Sequence, residues 1–99
     1  MIVVKPGSGP YFSQPAFDEV MVPLAKDLLA AGIPVEGDIT IMYDPVEDFS
    51  HLRFRAGGKS FDIQYYKVLS YRVDGEWKWC GCPLYERWAF VDSIKKGSH

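Results

Sequence analysis

The chain has 99 residues, 47% hydrophobic and 15% aromatic, which is enough for one packed core and excludes disorder as the default state. The formal net charge of −2 divides unevenly: residues 1–50 carry two basic and eight acidic side chains, residues 51–99 nine and five. The simplest use of that asymmetry is attraction between the halves of one fold; the alternative is a basic surface for an anionic partner.

No run approaches the roughly 18 apolar residues of a membrane span. The start Met1-Ile2-Val3-Val4-Lys5-Pro6 lacks the charged segment and long apolar core of a secretion signal. The expected setting is cytoplasmic and away from membranes. Cys80 and Cys82, one residue apart, cannot form a disulfide framework of the secreted kind. Gly97-Ser98-His99 reads as the start of a tag linker, leaving a single domain over residues 1–96.

Taken in order, Ile2, Val3 and Val4 predict a short strand stopped by Lys5-Pro6-Gly7, placed at a sheet edge or beside the next strand. Gly7-Ser8-Gly9-Pro10 sits where phosphate-binding loops sit, but it lacks both the third glycine of a dinucleotide loop and the Lys-Ser/Thr of a P-loop. A helix follows over Gln14 to Ala31, with Ser13 able to cap it and Pro15 tolerated in its first turn. Phe17, Val20, Met21, Leu24 and Leu28 form its apolar stripe. Pro23 falls inside it, which predicts a kink or two short helices meeting at Val22. Gly32 and Pro34 end it.

Asp38 to Asp44 is apolar on both parities apart from Thr40, as suits an interior strand. Asp44-Pro45, with Glu47 and Asp48, leads through a solvated connection to three alternating runs that read as an antiparallel meander from His51 to Cys80. Gly57-Gly58 supplies a two-residue turn pairing Ala56 with Lys59, so Phe54 faces Phe61, Leu52 faces Ile63 and Arg53 faces Asp62. The middle run, Ser60 to Arg72, keeps one parity throughout and reads as one strand. At the second turn, a three-residue loop Val73-Asp74-Gly75 pairs Arg72 with Glu76, Tyr71 with Trp77 and Leu69 with Trp79. That register keeps both tryptophans on the apolar face. Pro83 and the spacing of Leu84, Trp88, Val91 and Ile94 predict a short C-terminal helix, with a strand through Arg87 to Ser93 as the competing reading.

The fold class is therefore α+β: an antiparallel sheet of about five strands, including the three-stranded meander, with a Pro-kinked N-terminal helix and a short C-terminal helix on one face.

Three sites compete for a function. Cys80 and Cys82, with His51 as the nearest further ligand, would suit a thiol or metal-dependent enzyme. A closed zinc site wants four ligands, however, so two thiols packed as small apolar residues, with no metal or other cofactor, are the simpler reading. Arg53, Arg55, Arg72 and Lys78 around Tyr66 on the open sheet face would suit nucleic acid, although Arg53 and Arg72 are expected to be neutralised by carboxylates. The leading reading is a non-enzymatic binding module that uses surplus aromatics, with Tyr66 and Tyr85 off the apolar stripes and available to a protein partner or a second copy of the chain.

Overall fold

Gly57 and Gly58 both adopt positive φ, +59° and +76°, and close the tight hairpin that organises the sheet. The computed structural model describes residues 1–5, 17–44 and 49–98. The strands are β1 (Ile2–Lys5), β2 (Val35–Asp44), β3 (Phe49–Ala56), β4 (Lys59–Tyr66), β5 (Val68–Val73) and β6 (Glu76–Cys82). They form one sheet in sequence order, antiparallel except that β1 runs parallel to β2. The glycine loop at Gly7–Pro10, the Ser13 cap and the acidic connection at Glu47 and Asp48 lie outside the described residues.

The register of β3 on β4 follows the side-chain chemistry, with Leu52 opposite Ile63, Phe54 opposite Phe61 and Arg53 opposite Asp62. The two phenylalanine rings stack with centroids 5.0 Å apart.

The middle run is two strands rather than one, which raises the count to six. The chain reverses at Lys67, a non-glycine residue at φ 63°, and Tyr65 pairs with Leu69. Partners sit symmetrically about Lys67, so each pair shares a parity and the alternation passes through the turn without a break. No glycine, proline or asparagine marks it.

The second predicted turn also differs. Asp74 and Gly75, at φ 51° and 86°, make a two-residue turn, so Val73 pairs with Glu76 and Arg72 with Trp77. Asp74 is held there because its carboxylate accepts the Ser60 N–H at 2.8 Å while its own N–H donates to the Ser60 carbonyl at 2.8 Å. Trp77 consequently points outward. A register shift then pairs Tyr71 with Trp79, and a second one pairs Leu69 with Cys82. Each inserts one extra residue into β6, and Gly81 at φ 85° serves the second. The bulges return Trp79 and Cys82 to the apolar face.

That face is covered by two helices. A π-helical turn, Phe17–Met21, passes directly into α1 (Val22–Ala30), with Pro23 in the first turn of the α-helical part. Pro23, which has no N–H to donate, falls where the hydrogen-bonding pattern changes from π to α. Met21, Leu24, Ala25 and Leu28 are fully buried against Ile39, Ile41, Leu52 and Ile63. Gly32, at φ 82°, ends the element.

After a 3₁₀ turn at Leu84–Glu86 comes α2 (Arg87–Gly97), a helix where a strand was the competing reading. Its buried residues are Phe90, Val91 and Ile94. Phe90 meets Tyr71 edge-on at 5.2 Å and Trp79 at 5.8 Å, and the Tyr71 hydroxyl shares a 2.7 Å hydrogen bond with Ser93. Trp88, expected on the buried stripe, is exposed instead. Phe90, Val91 and Ile94 set the buried face of α2, and at about 100° per residue Trp88 lies roughly 110° from its centre. Ser98, just past the end of α2, is buried, and its carbonyl lies where a Gly57 side chain would project. No helix among the described residues is long and apolar enough to cross a membrane.

Candidate functional site

The face of the sheet that no described helix covers carries one continuous cross-strand row: Thr40, Arg53, Asp62, Arg72 and Trp77, from β2 to β6. Alternation places every member outward, and register makes each the direct neighbour of the next. Asp62 is the hub. Its Oδ2 accepts from Arg72 Nε at 3.0 Å and Nη2 at 2.8 Å. Its Oδ1 lies 3.6 Å from Arg53 Nε and 3.1 Å from His51 Nδ1. A carboxylate has no proton to give, so Nδ1 carries the hydrogen. Burial raises the Asp62 carboxyl, but hydrogen bonds from His51 and Arg72, with attraction from His51 and Arg53, outweigh it and hold the group below the ordinary carboxylate range.

The arginines named from sequence are thus brought together, with differences in their partners. Arg72 is neutralised by Asp62 rather than by Glu76, which pairs with Lys78 at 3.4 Å. Its guanidinium also lies 5.3 Å from the Trp77 ring. Arg55 donates to Ser60 Oγ at 2.7 Å and to the Gly58 carbonyl at 3.2 Å. Lys78, expected on this face, instead borders a cleft with Tyr71, Val73 and Gly97, because the first bulge of β6 turns it away from the row. A groove of about 420 Å³ runs along the row, bounded by Glu36, Thr40, Arg53, Arg55, Ser60 and Arg72.

His51, Cys80 and Cys82 do not form one centre. His51 shares the outward face with Asp62 and packs against Phe49, with ring centroids 4.4 Å apart. Cys82 is buried on the opposite face beside Leu69, its thiol directed at the carbonyls of Pro83 and Glu86, while Cys80 is exposed rather than packed. Burial, and secondarily Glu86, push the Cys82 thiol up, which disfavours the reactive thiolate. Among the described residues no group of three or more His, Cys, Asp or Glu side chains is placed to hold a metal ion.

The aromatics collect at the other candidate site. Leu69 pairs with Cys82, so the Tyr66–Val68 reversal lies at the end of the sheet where β6 passes into Leu84–Glu86. Tyr85 is 83% exposed, Trp88 75% and Tyr66 57%, with Leu84 and Val68 also in the exposed class. Between α1 and α2 a groove of about 450 Å³ is lined by Leu84, Tyr85, Trp88 and Val91, with the Arg87–Asp27 ion pair, at 3.1 Å, in its wall. Trp88 and Asp62 are the residues that sequence reasoning undervalued: the tryptophan was counted as core, and the aspartate as the partner of one arginine. The signal for Asp62 was that it is the sole acidic residue in the run from Ser60 to Arg72, with cations on both sides.

No family model matches the chain, and neither a curated protein nor a solved structure matches it.

Proposed function

We propose that the protein is a non-enzymatic protein-binding module that docks its partner on the aromatic end of the sheet, centred on Tyr85 and Trp88. One observation carries this reading: two large aromatics, three residues apart, are each three-quarters or more exposed beside an apolar groove. A water-exposed Trp–Tyr pair gains free energy when a partner desolvates it, and such residues dominate interface energetics. Two of the nearby charges are occupied, Arg87 by Asp27 and Lys67 over the Tyr66 ring at 5.6 Å, and the groove beside Tyr85 and Trp88 is lined by Leu84 and Val91, so the partner is expected to present an apolar anchor. The free thiols Cys80 and Cys82 support a reducing, cytoplasmic setting.

The nucleic-acid reading has less support, since one buried carboxylate serves both Arg53 and Arg72 and leaves little net positive charge for phosphates. A thiol enzyme has less still, with His51 and Cys82 on opposite faces.

The test is to isolate the partner, re-express it, and measure its affinity for the wild type, Trp88→Ala, Tyr85→Ala and Trp77→Ala. Each of the first two variants should lose about 2 kcal/mol or more of binding, with weak dependence on salt, and Trp77→Ala should match the wild type. Equal affinity for all four would overturn the reading. Sedimentation of the protein alone decides whether the occupant is a second copy of the chain.

A further inference from the structure

The groove beside the Asp62 row combines charges that a partner protein at the aromatic end does not use. Glu36 and Arg55 are direct partners in the register of β2 on β3. Opposite charges so placed ordinarily close on each other. Here they do not: Arg55 is drawn toward β4 by its bonds to Ser60 Oγ at 2.7 Å and the Gly58 carbonyl at 3.2 Å, and Glu36 forms no ion pair among the described residues. The groove between them therefore has an acidic wall on the β2 side and a cationic one on the β3 side. Arg53 and Arg72 extend the cationic wall around their single shared carboxylate, Asp62, which holds Arg72 through Nε and Nη2 and lies 3.6 Å from Arg53 Nε. Arg53 is half exposed, and its approach to Asp62 at 3.6 Å is longer than a hydrogen bond, so its guanidinium keeps capacity for a further anion. Asp38 lies further along β2, and Glu36 is the carboxylate directly opposite Arg55.

We propose that this groove binds a free α-amino acid, its ammonium group taken by Glu36 and its carboxylate by Arg55 and Arg53. A ligand with one charge would satisfy one wall and meet repulsion or an unfilled partner at the other. A zwitterion bridges both, and the volume of about 420 Å³ accommodates a side chain as well. Asp62 is a positioning residue here, acting through the two arginines. The site is independent of Tyr85 and Trp88.

The experiment is a titration of ¹⁵N-labelled protein, followed by backbone amide shifts, with L-alanine, L-leucine and L-phenylalanine. Propionate and ethylammonium serve as the two halves of alanine. At least one amino acid should give saturable shifts at Glu36, Arg53, Arg55 and Ser60, with affinity about tenfold or more above either half. Glu36→Gln and Arg55→Gln, both at exposed positions, should each weaken it about tenfold or more while the rest of the spectrum is retained, and Trp88→Ala should leave it unchanged. Propionate binding as tightly as the amino acids would overturn the assignment. So would saturable shifts mapping elsewhere, or no saturation by any of the three at concentrations on the order of 10 mM.

Discussion

One oxygen of Asp62 takes both the Nε and the Nη2 protons of Arg72, at 3.0 and 2.8 Å, while the other faces His51 and Arg53. The carboxylate thus holds three strands together on the side of the sheet that no described helix covers.

Asp62→Asn should destabilise the fold. Losing one member of a fully buried charge pair costs about 3–5 kcal/mol, and the partial exposure of both arginines reduces that to about 1–3 kcal/mol here. The pH dependence has a definite sign. Because the native carboxyl is held below its ordinary range, its contribution is complete above the unfolded-state value of about 4, and is lost as the pH falls through the lower native value. Urea midpoints of wild type and variant should therefore converge as the pH drops below about 4. A constant gap down to strongly acidic pH would argue against the charge-based account.

Gly57→Ala and Gly58→Ala should differ. Both residues have positive φ, which costs an L side chain about 1–2 kcal/mol, but only at Gly57 does the added carbon meet the Ser98 carbonyl. Gly57→Ala is expected to be the more destabilising in chemical denaturation by about 1 kcal/mol or more. Truncation after Lys96 should bring the two variants level.

The three tryptophans should separate by exposure. Trp79→Ala removes a ring packed on Phe90 and should cost about 2–4 kcal/mol. Trp88→Ala, at a solvent-facing position, should stay within about 0.5 kcal/mol of wild type. Acrylamide quenching should fall most in Trp88→Ala and least in Trp79→Ala.

The thiols should titrate in two phases with a disulfide reagent. Cys80 is exposed and reacts at once; Cys82, buried and with its thiol pushed up, waits for unfolding. Cys80→Ser should abolish the fast phase and leave the slow one.

Where sequence reasoning succeeded, a local signal and a tertiary need agreed. Gly57-Gly58 dictated the turn, and the chemistry of Leu52, Arg53 and Phe54 against Phe61, Asp62 and Ile63 dictated the register. Pro23 announced the break in the first helix. The turn at Lys67 was hidden because a reversal symmetric about one residue preserves alternation, and lysine carries no turn signature. Trp77 was misplaced because two bulges in β6 repair the alternation after a two-residue turn, so the simplest way to keep both tryptophans inside was not the one used. Of the candidate sites, the arginine face was legible from parity alone. Its hub was not, since cross-strand neighbours on both sides of Asp62 emerge only once the Lys67 turn is known. Trp88 was assigned to the core because the spacing of Leu84, Trp88, Val91 and Ile94 leaves out Phe90, which turns the buried face of α2 away from the tryptophan.

Strand β6 closes one side of the sheet, and its two inserted residues have a bearing on how the molecule behaves in a crowd. A foreign chain adds to a sheet by matching an evenly spaced ladder of N–H and C=O groups over several residues. Within the seven residues of β6 that ladder is interrupted near Lys78 and again at Gly81. Two interruptions in so short an edge strand disfavour templated addition of a foreign strand from this side at the level of the backbone. Deleting Lys78 would remove the first interruption, with Trp79 still opposite Tyr71, and leave the one at Gly81 in place.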